Sequence, residues 1–535
     1  MKKLYLFLLL CFAHLVLDAQ EDAWVFFADK ENVASSIANP TTILSQKAID
    51  RKQKHGVLID ARDVPVNENY ISQIKNATGI TVLAKSKWFN AVHVRGSQVD
   101  IEALESLNFV SAVDFASDDL NQSKVLNQKQ ESKLEGVLTN FNYGNAANQI
   151  EMFNGDALHL LDYTGAGITI AVLDSGFPNV HTIGAFQRAR DNGLILGTYD
   201  FVNRDNDVYT GTTSNHGSLV LSDMVGYIEN QFVGTAPDAS YHLFITEDAT
   251  SETPVEESYW VEAAERADSL GVDIINTSLG YSDFDDTRYD YEQSDMNGNT
   301  AFITRGANIA FEKGLLLVTS AGNSGNWGVT APADSPNVLS IGAVDESGNY
   351  VSFSSVGTQY QTTQKPDVVA QGGLSYVIAE NNVIARANGT SFSAPILAGG
   401  IACLWQALPN KTNAEMMQLV RESASQYSVP DNFLGYGIPN LQSALDVALS
   451  NASNMQQDLD VSLYPNPVKD VLYVNFPLDD TSAVVSIYNV LGKKINTFLV
   501  SAENNKIDIS SIANGLYLAK IDMNNVSKTI KIIKQ

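Results

Sequence analysis

Three apolar runs, each closing on a turn of small and polar residues, set the tightest limit on what this chain can fold into. Ile168-Thr169-Ile170-Ala171-Val172-Leu173 ends on Asp174-Ser175-Gly176. Val272-Asp273-Ile274-Ile275-Asn276-Thr277 leads to Ser278-Leu279-Gly280, and Leu315-Leu316-Leu317-Val318-Thr319-Ser320 to Ala321-Gly322-Asn323. Each reads as a buried strand running into a turn, and the second and third each follow a helical stretch. Strands alternating with helices make an α/β sheet, which gathers functional groups at the carboxyl ends of its strands. Gly165-Ala166-Gly167 precedes its strand, whereas a dinucleotide-binding glycine motif follows one, so these glycines are not read as a nucleotide site.

A fourth stretch, Asn388-Gly389-Thr390-Ser391-Phe392-Ser393-Ala394-Pro395, runs into the small-residue apolar segment from Ile396 to Leu408. It reads as a serine mounted at a helix N-terminus, with Gly389 making the turn, Thr390 capping, and Pro395 in the first turn where N–H groups lack partners. A hydroxyl at the positive end of a helix sits where an acyl-transfer oxyanion is stabilised, which makes Ser391 the candidate nucleophile. An unassisted serine is a weak nucleophile and needs a base, an orienting acid and an oxyanion donor. Asp174, at the end of a buried strand, needs a partner for its charge. His216, one of only seven histidines, heads the apolar helical stretch that begins Gly217-Ser218-Leu219-Val220. Asn323, between glycine and serine at a turn, is placed to aim its amide at a developing oxyanion.

The motifs Asp-Ser-Gly, His-Gly-Ser, Ser-Leu-Gly, Ala-Gly-Asn and Gly-Thr-Ser-Phe-Ser-Ala-Pro occur here in the order found in subtilisin-like serine proteases, and over this region the chain resembles that family. The order Asp, His, Ser and the lack of Gly-x-Ser-x-Gly around Ser391 separate it from chymotrypsin-like and α/β-hydrolase enzymes. The resemblance implies a doubly wound parallel sheet and peptide-bond hydrolysis through an acyl-enzyme. Ser391 would attack, His216 would act as base and then acid, and Asp174 would hold the imidazole in the right tautomer. Asn323 and the Ser391 N–H would bind the oxyanion. Loss of the Asn donor would cost about a hundredfold to a thousandfold in turnover, a magnitude known from subtilisin itself. Ser278, Leu279 and Gly280, with Ala321 and Gly322, would bind substrate as an added strand. Tyr281 replaces the second glycine common after Ser-Leu-Gly, and the polar insertion Ser282 to Thr300 follows; both are expected to reshape the pockets. An acid-acting relative with Glu in place of His is disfavoured by His216, and a surface-displayed binding protein on an inactive protease scaffold would require a broken triad.

No cofactor is expected for chemistry. Asp283, Asp285, Asp286, Asp290, Asp295 and Asn297 make the insertion a candidate for structural calcium, which takes six to eight oxygens, although their spacing fits no EF-hand.

The rest of the chain reads as flanking modules. Residues 1 to 19 resemble an export signal: Lys2 and Lys3, an apolar core from Leu4 to Leu17, then Asp18 and Ala19. Residues 20 to 120 read as a small α+β unit, with strands at Trp24–Phe27, Phe89–Val94 and Val110–Phe115 and helices at Asn67–Ala77 and Ser97–Leu107. It resembles the inhibitor-type propeptide of subtilisin-like proteases. Residues 121 to 140 read as a cleavable linker, 141 to 450 as the catalytic domain and 451 to 459 as a second linker. Residues 460 to 535 read as a β-sandwich with strands at Val471–Phe476, Val484–Tyr488, Lys506–Ile509, Leu516–Ile521 and Thr529–Ile533. Tyr464-Pro465-Asn466-Pro467, Ser486-Ile487-Tyr488-Asn489 and Asn514-Gly515-Leu516-Tyr517 resemble the sorting domain of the type IX secretion pathway.

The expected partners are protein and peptide substrates, the chain's own propeptide as inhibitor, and the type IX machinery, with passage through the periplasm to the surface or medium. Sixty-one acidic against 34 basic residues give a net charge of -27, which repels phosphate backbones and argues against nucleic acid. No stable membrane span is expected. Only two cysteines occur; Cys11 leaves with the signal and Cys403 is expected to be buried packing, so no internal disulfide forms in the mature protein.

Overall fold

A computed structural model describes residues 20–117, 120, 141–211, 214–455, 461–476, 482–489, 493–523 and 526–535. The export signal and the 121–140 linker lie outside them. The chain divides into two compact units, one running to Leu445 and the other from Asp446 onward.

The first unit opens with a small α+β module: β1 (Gln20–Phe27), α1 (Gln46–Lys54), α2 (Glu68–Lys75), β2 (Thr81–Ser86), β3 (Ala91–Ser97), α3 (Gln98–Ala103) and β4 (Val110–Phe115). The strands form an antiparallel sheet in the order β2-β3-β1-β4. Strand alternation gives β1 two buried faces. Ala23, Val25 and Phe27 join Ile71, Ile74, Val92 and Ile101 in the module's own core, whereas Trp24 and Phe26 join the core of the larger domain.

That larger domain carries seven parallel strands: β5 (Thr169–Asp174), β6 (Ile195–Asp200), β7 (Ser240–Ile245), β8 (Ile274–Thr277), β9 (Leu316–Ser320), β10 (Leu339–Val344) and β11 (Val368–Gln371). Their order is β11-β10-β9-β8-β5-β7-β6. Every residue of β5, β8, β9, β10 and β11 is buried, as expected for a parallel sheet covered on both faces. Helices α4 (His216–Val225) and α7 (Thr390–Ala407) pack together, as do α5 (Val255–Leu270) and α6 (Phe302–Glu312). The doubly wound α/β reading holds.

The α5 and α6 side receives the N-terminal module. Trp24 stacks on Phe302 with centroids 4.2 Å apart, and its indole N–H donates to Ser258 Oγ at 2.8 Å. The buried Glu265 carboxylate accepts from Ser86 Oγ (2.5 Å) and from the N–H groups of Lys87 and Trp88 (each 2.9 Å). Helix α1 and the turn after it were not read from the sequence. Arg51 and Lys52 both pair with Asp268, and Lys52 also reaches Asp63 at 3.2 Å. Lys313 binds Asp63 at 2.8 Å and Asp60 at 2.9 Å.

Helix α8 (Leu441–Met455) runs five residues beyond the expected domain end at 450, into the stretch read as a linker. Asn451-Ala452-Ser453-Asn454-Met455 contains neither Gly nor Pro to stop it. In the second unit, β12 (Ser462–Tyr464), β13 (Val471–Asn475) and β16 (Lys506–Asp508) form one sheet in the order β12-β13-β16. The other contains β14 (Ser482–Asn489), β15 (Lys494–Ser501), β17 (Gly515–Met523) and β18 (Val526–Lys534), in the order β15-β14-β17-β18. Leu472, Val474 and Ile507 from the first meet Val485, Ile487, Ile521 and Ile532 from the second in one core, the expected sandwich. Among the described residues no helix is long and apolar enough to cross a membrane.

Burial raises several carboxyl groups of α5. Glu257, which accepts from Tyr291 Oη (3.0 and 3.1 Å) and Ile303 N–H (3.3 Å), is pushed up to about 8 by burial, and Glu256 to about 9. A carboxyl raised above its unfolded value of 4.5 contributes stability that is fully present below that value and lost as pH rises through the folded one. The thermal midpoint should therefore fall between pH 6 and pH 9, and Glu257→Gln, which imitates the protonated acid, should flatten part of that fall in a pH series of melting curves.

Candidate active site

The sheet brings the sequence candidates together. Asp174 closes β5 and is fully buried; its Oδ1 accepts from Ser175 N–H at 2.8 Å and Ser175 Oγ at 3.2 Å. His216 opens α4, and its Nδ1 lies 2.9 and 3.1 Å from the two Asp174 carboxylate oxygens. Gly217 permits that approach: a Cβ there would meet Gly176 O at 2.5 Å, the Phe177 ring at 2.9 Å and Asp174 Cβ at 3.0 Å. The imidazole side chain remains 30% exposed. Burial alone would lower its pKa, but the charge of Asp174, its hydrogen bond and the charge of Glu247 outweigh this and raise it.

Ser391 is the second residue of α7, after Gly389 at φ 150°. Here the local reading needs correction. Gly389, not Thr390, occupies the cap position, and Pro395 is the sixth helical residue, well past the first turn. A proline there removes the N–H that the Ser391 carbonyl would accept. Ser278 supplies the missing donor, its hydroxyl reaching Ser391 O at 2.8 Å. In return Ser391 Oγ donates to Ser278 O at 3.2 Å. The His216 ring lies 5.9 Å from the ring of Phe392, the next residue along α7.

Thr390 has a different task. Its N–H donates to Asn323 Oδ1 at 2.9 Å, and its hydroxyl lies 3.1 Å from both Asn323 Oδ1 and Gly322 O. With Oδ1 held, Asn323 Nδ2 is the end of the amide left to donate. Among the described residues neither Nδ2 nor the Ser391 N–H has a protein acceptor. Ser278, Leu279 and Gly280 continue from β8, and Ala321 and Gly322 from β9, so both segments leave the sheet at the strand ends nearest Ser391.

Tyr281 does not line an open pocket; it is 1% exposed, exchanges backbone hydrogen bonds with Ala331, and donates its hydroxyl to Glu247. Burial pushes Glu247, which sequence reading missed for want of any local motif, up to about 8. The acidic residues of the insertion hold the loop itself: Asp286 pairs with Arg288, Asp290 accepts from Phe284 N–H, and Asp295 from Glu292 N–H. Arg288 and Tyr289 both reach Glu21 of β1. Among the described residues no three His, Cys, Asp or Glu side chains form a group that could hold a metal ion. Cys403 is buried on α7, its thiol donating to Thr235 O at 3.2 Å.

The model of the subtilase family matches residues 165–437, just over half of the chain. This chain belongs to the subtilase family. A model of the Bacteroidota peptidase S8 propeptide domain matches residues 22–133, and one of the secretion system C-terminal sorting domain matches residues 462–535. Subtilisin NAT of Bacillus subtilis subsp. natto is 29% identical over 301 residues, 55% of this chain and 70% of that protein. Subtilisin DY of Bacillus licheniformis is 28% identical over 303 residues, 55% of this chain and 97% of that one. Serine protease AprX of Bacillus subtilis is 27% identical over 314 residues, 53% and 67% of the two chains. The protein is thus a subtilisin-like serine peptidase with a propeptide domain and a sorting domain that directs it out of the cell by the type IX route.

In this subtilase the Gly217 contact is tight enough to test. Gly217→Ala should push α4 away from β5, cost about 1–3 kcal/mol in stability, and lower peptidase activity by up to about a hundredfold through misplacement of His216. Melting curves and peptide hydrolysis would measure the two effects.

Proposed function

We propose that the protein is a secreted endopeptidase, made as a preproenzyme, in which Asp174, His216 and Ser391 form the catalytic triad. The observation that carries this reading is the contact of His216 Nδ1 with both Asp174 oxygens, beside a serine at the head of α7. Asp174 fixes the tautomer with Nδ1 protonated, so Nε2 is the base. Ser391 Oγ leaves the Ser278 carbonyl, gives its proton to His216 Nε2 and attacks the scissile carbonyl. The tetrahedral oxyanion is held by Asn323 Nδ2 and the Ser391 N–H, both unspent within the fold. Collapse breaks the C–N bond as His216 returns the proton to the leaving amine. A water, deprotonated by His216, then attacks the acyl-enzyme, and collapse frees the new carboxyl end with the proton returned to Ser391.

The reaction draws on side chains and backbone alone, and a structural calcium would serve stability, not chemistry. Ser278–Gly280 and Ala321–Gly322 are the segments we assign to substrate backbone. We assign residues 20–120 to the propeptide, which inhibits the enzyme until the 121–140 linker is cut, and 460–535 to the tail read by the type IX machinery.

Casein hydrolysis by the full-length gene product beside its Ser391→Ala variant, with chain ends mapped by mass spectrometry, tests the assignment. Wild type should digest casein and the variant should not; equal activity would overturn it. The pH profile is a second check. Because His216 must be neutral to accept a proton and Asp174 raises its pKa, the acid limb of kcat/KM should lie above the ordinary histidine value of 6.5. A maximum below pH 5 would contradict His216 as base.

A further inference from the structure

The N-terminal module grips the catalytic domain at two separate places. One is the α5 and α6 face, where Trp24 stacks on Phe302 and Glu265 accepts from Ser86, Lys87 and Trp88. The other is the amino end of the parallel sheet, which residues 45–63, with α1 among them, cross as a strap. Ser45 N–H donates to Ser269 O at 2.9 Å, and α1 passes so close to the end of α5 that a Cβ on Gly271 would fall 2.6 Å from Ala48 N. Lys47 pairs with Asp273 at 3.0 Å, and the same carboxylate oxygen accepts at 2.8 Å from the N–H of Thr169, the first residue of β5. Arg51 donates to the carbonyls of Val272 and Lys313, which lead into β8 and β9. His55 stacks on Trp405 of α7 with centroids 5.8 Å apart. The strap therefore ties together the starts of three neighbouring strands and the far end of the helix that carries Ser391.

Both grips lie away from the chemistry. The strap meets strand starts, whereas Asp174, Ser278 and Ala321 stand at strand ends, roughly 20 Å away along a strand the length of β5. None of the contacts just named reaches Asp174, His216, Ser391 or Asn323. Docking of the module and occupation of the cleft are thus separable. Release of the module, by contrast, is hindered. The side chains of Arg51, Lys52 and Asp268 are 4%, 1% and 0% exposed, and undocking must part these charges before water replaces the partners, which slows dissociation. While either grip holds, the other re-forms at high effective concentration, so the module leaves only when both open together.

We propose that residues 20–117 remain on the enzyme after the 121–140 linker is cut, as a second chain of the working protease, with the strap bracing the base of its sheet. The activity of that two-chain form rests on Ser391 as nucleophile; the retention does not. The test uses the full-length gene product with sites for a sequence-specific protease placed at both ends of 121–140, made as wild type and as Ser391→Ala. After cutting, gel filtration and intact-mass measurement should find the fragment carrying residues 20–120 eluting one to one with the catalytic chain in both proteins. The wild-type two-chain peak should label at Ser391 with a fluorophosphonate probe and hydrolyse peptide. Asp268→Asn, which takes from Arg51 and Lys52 their shared carboxylate, should speed loss of a fluorescently tagged fragment on dilution by about thirtyfold or more. A catalytic chain that elutes alone after the cut would overturn the proposal, as would a two-chain peak that labels only once the fragment is stripped away, or an unchanged loss rate in Asp268→Asn. Co-elution in Ser391→Ala with no labelling of the wild type in either state would uphold the retained module and overturn the nucleophile assignment instead.

Discussion

Pro395 breaks the hydrogen-bond ladder of α7 at the one place where the broken rung can be used. The carbonyl left without its helical donor belongs to Ser391, and the hydroxyl that reaches it belongs to Ser278. A buried carbonyl without a partner would cost about 1–3 kcal/mol, so the head of α7 cannot drift from the end of β8 without leaving that group unpaired. The same pairing sets the distance between the serine and the segment assigned to substrate. Thr390 makes a parallel link to the end of β9 through Asn323 and Gly322. Two adjacent residues of one helix thereby register two different strands, and the site is held by ordinary backbone satisfaction.

The N-terminal module uses a different physics on the other side of the sheet. Its β1 is apolar on both faces because each face has its own core. Alongside that apolar contact lies a set of charges, Arg51, Lys52 and Lys313 against Asp63 and Asp268, all buried, with the half-buried Asp60 at its edge, in which each cation meets at least one carboxylate. Such pairs add little net stability compared with apolar packing, but removing one partner leaves an uncompensated charge, which is strongly unfavourable. The cluster therefore specifies one docking register more than it adds affinity.

These interactions also explain which parts of the chain could be read in advance. Most strands of the parallel sheet are continuous apolar runs because both faces are covered; Asp174 ends one and Asn323 follows another, while His216 and Ser391 open helices, so all four candidates could be picked out by pattern. Helix α1 could not, because Gln46–Lys54 has almost no apolar stripe and its Arg51 and Lys52 share a partner, Asp268, more than 200 residues away. Strand β2 is an edge strand with a bulge between Val82 and Ala84, which disrupts the alternation a reader looks for. The roles of Thr390 and Pro395 were misjudged because a cap is defined by where the helix begins, and that depends on the φ of Gly389.

Glu247 is legible only in three dimensions. It stands outside any motif and acquires its character from burial beside Tyr281, a residue distant in sequence. Tyr281 shows why a substitution next to a motif is hard to interpret from sequence. A large side chain in place of glycine suggests an obstructed cleft, yet the ring turns inward, its hydroxyl meets a carboxyl, and its backbone holds Ala331 in place. The bulk is absorbed by the core, and the residue that faces it there, Glu247, is reached only through the fold.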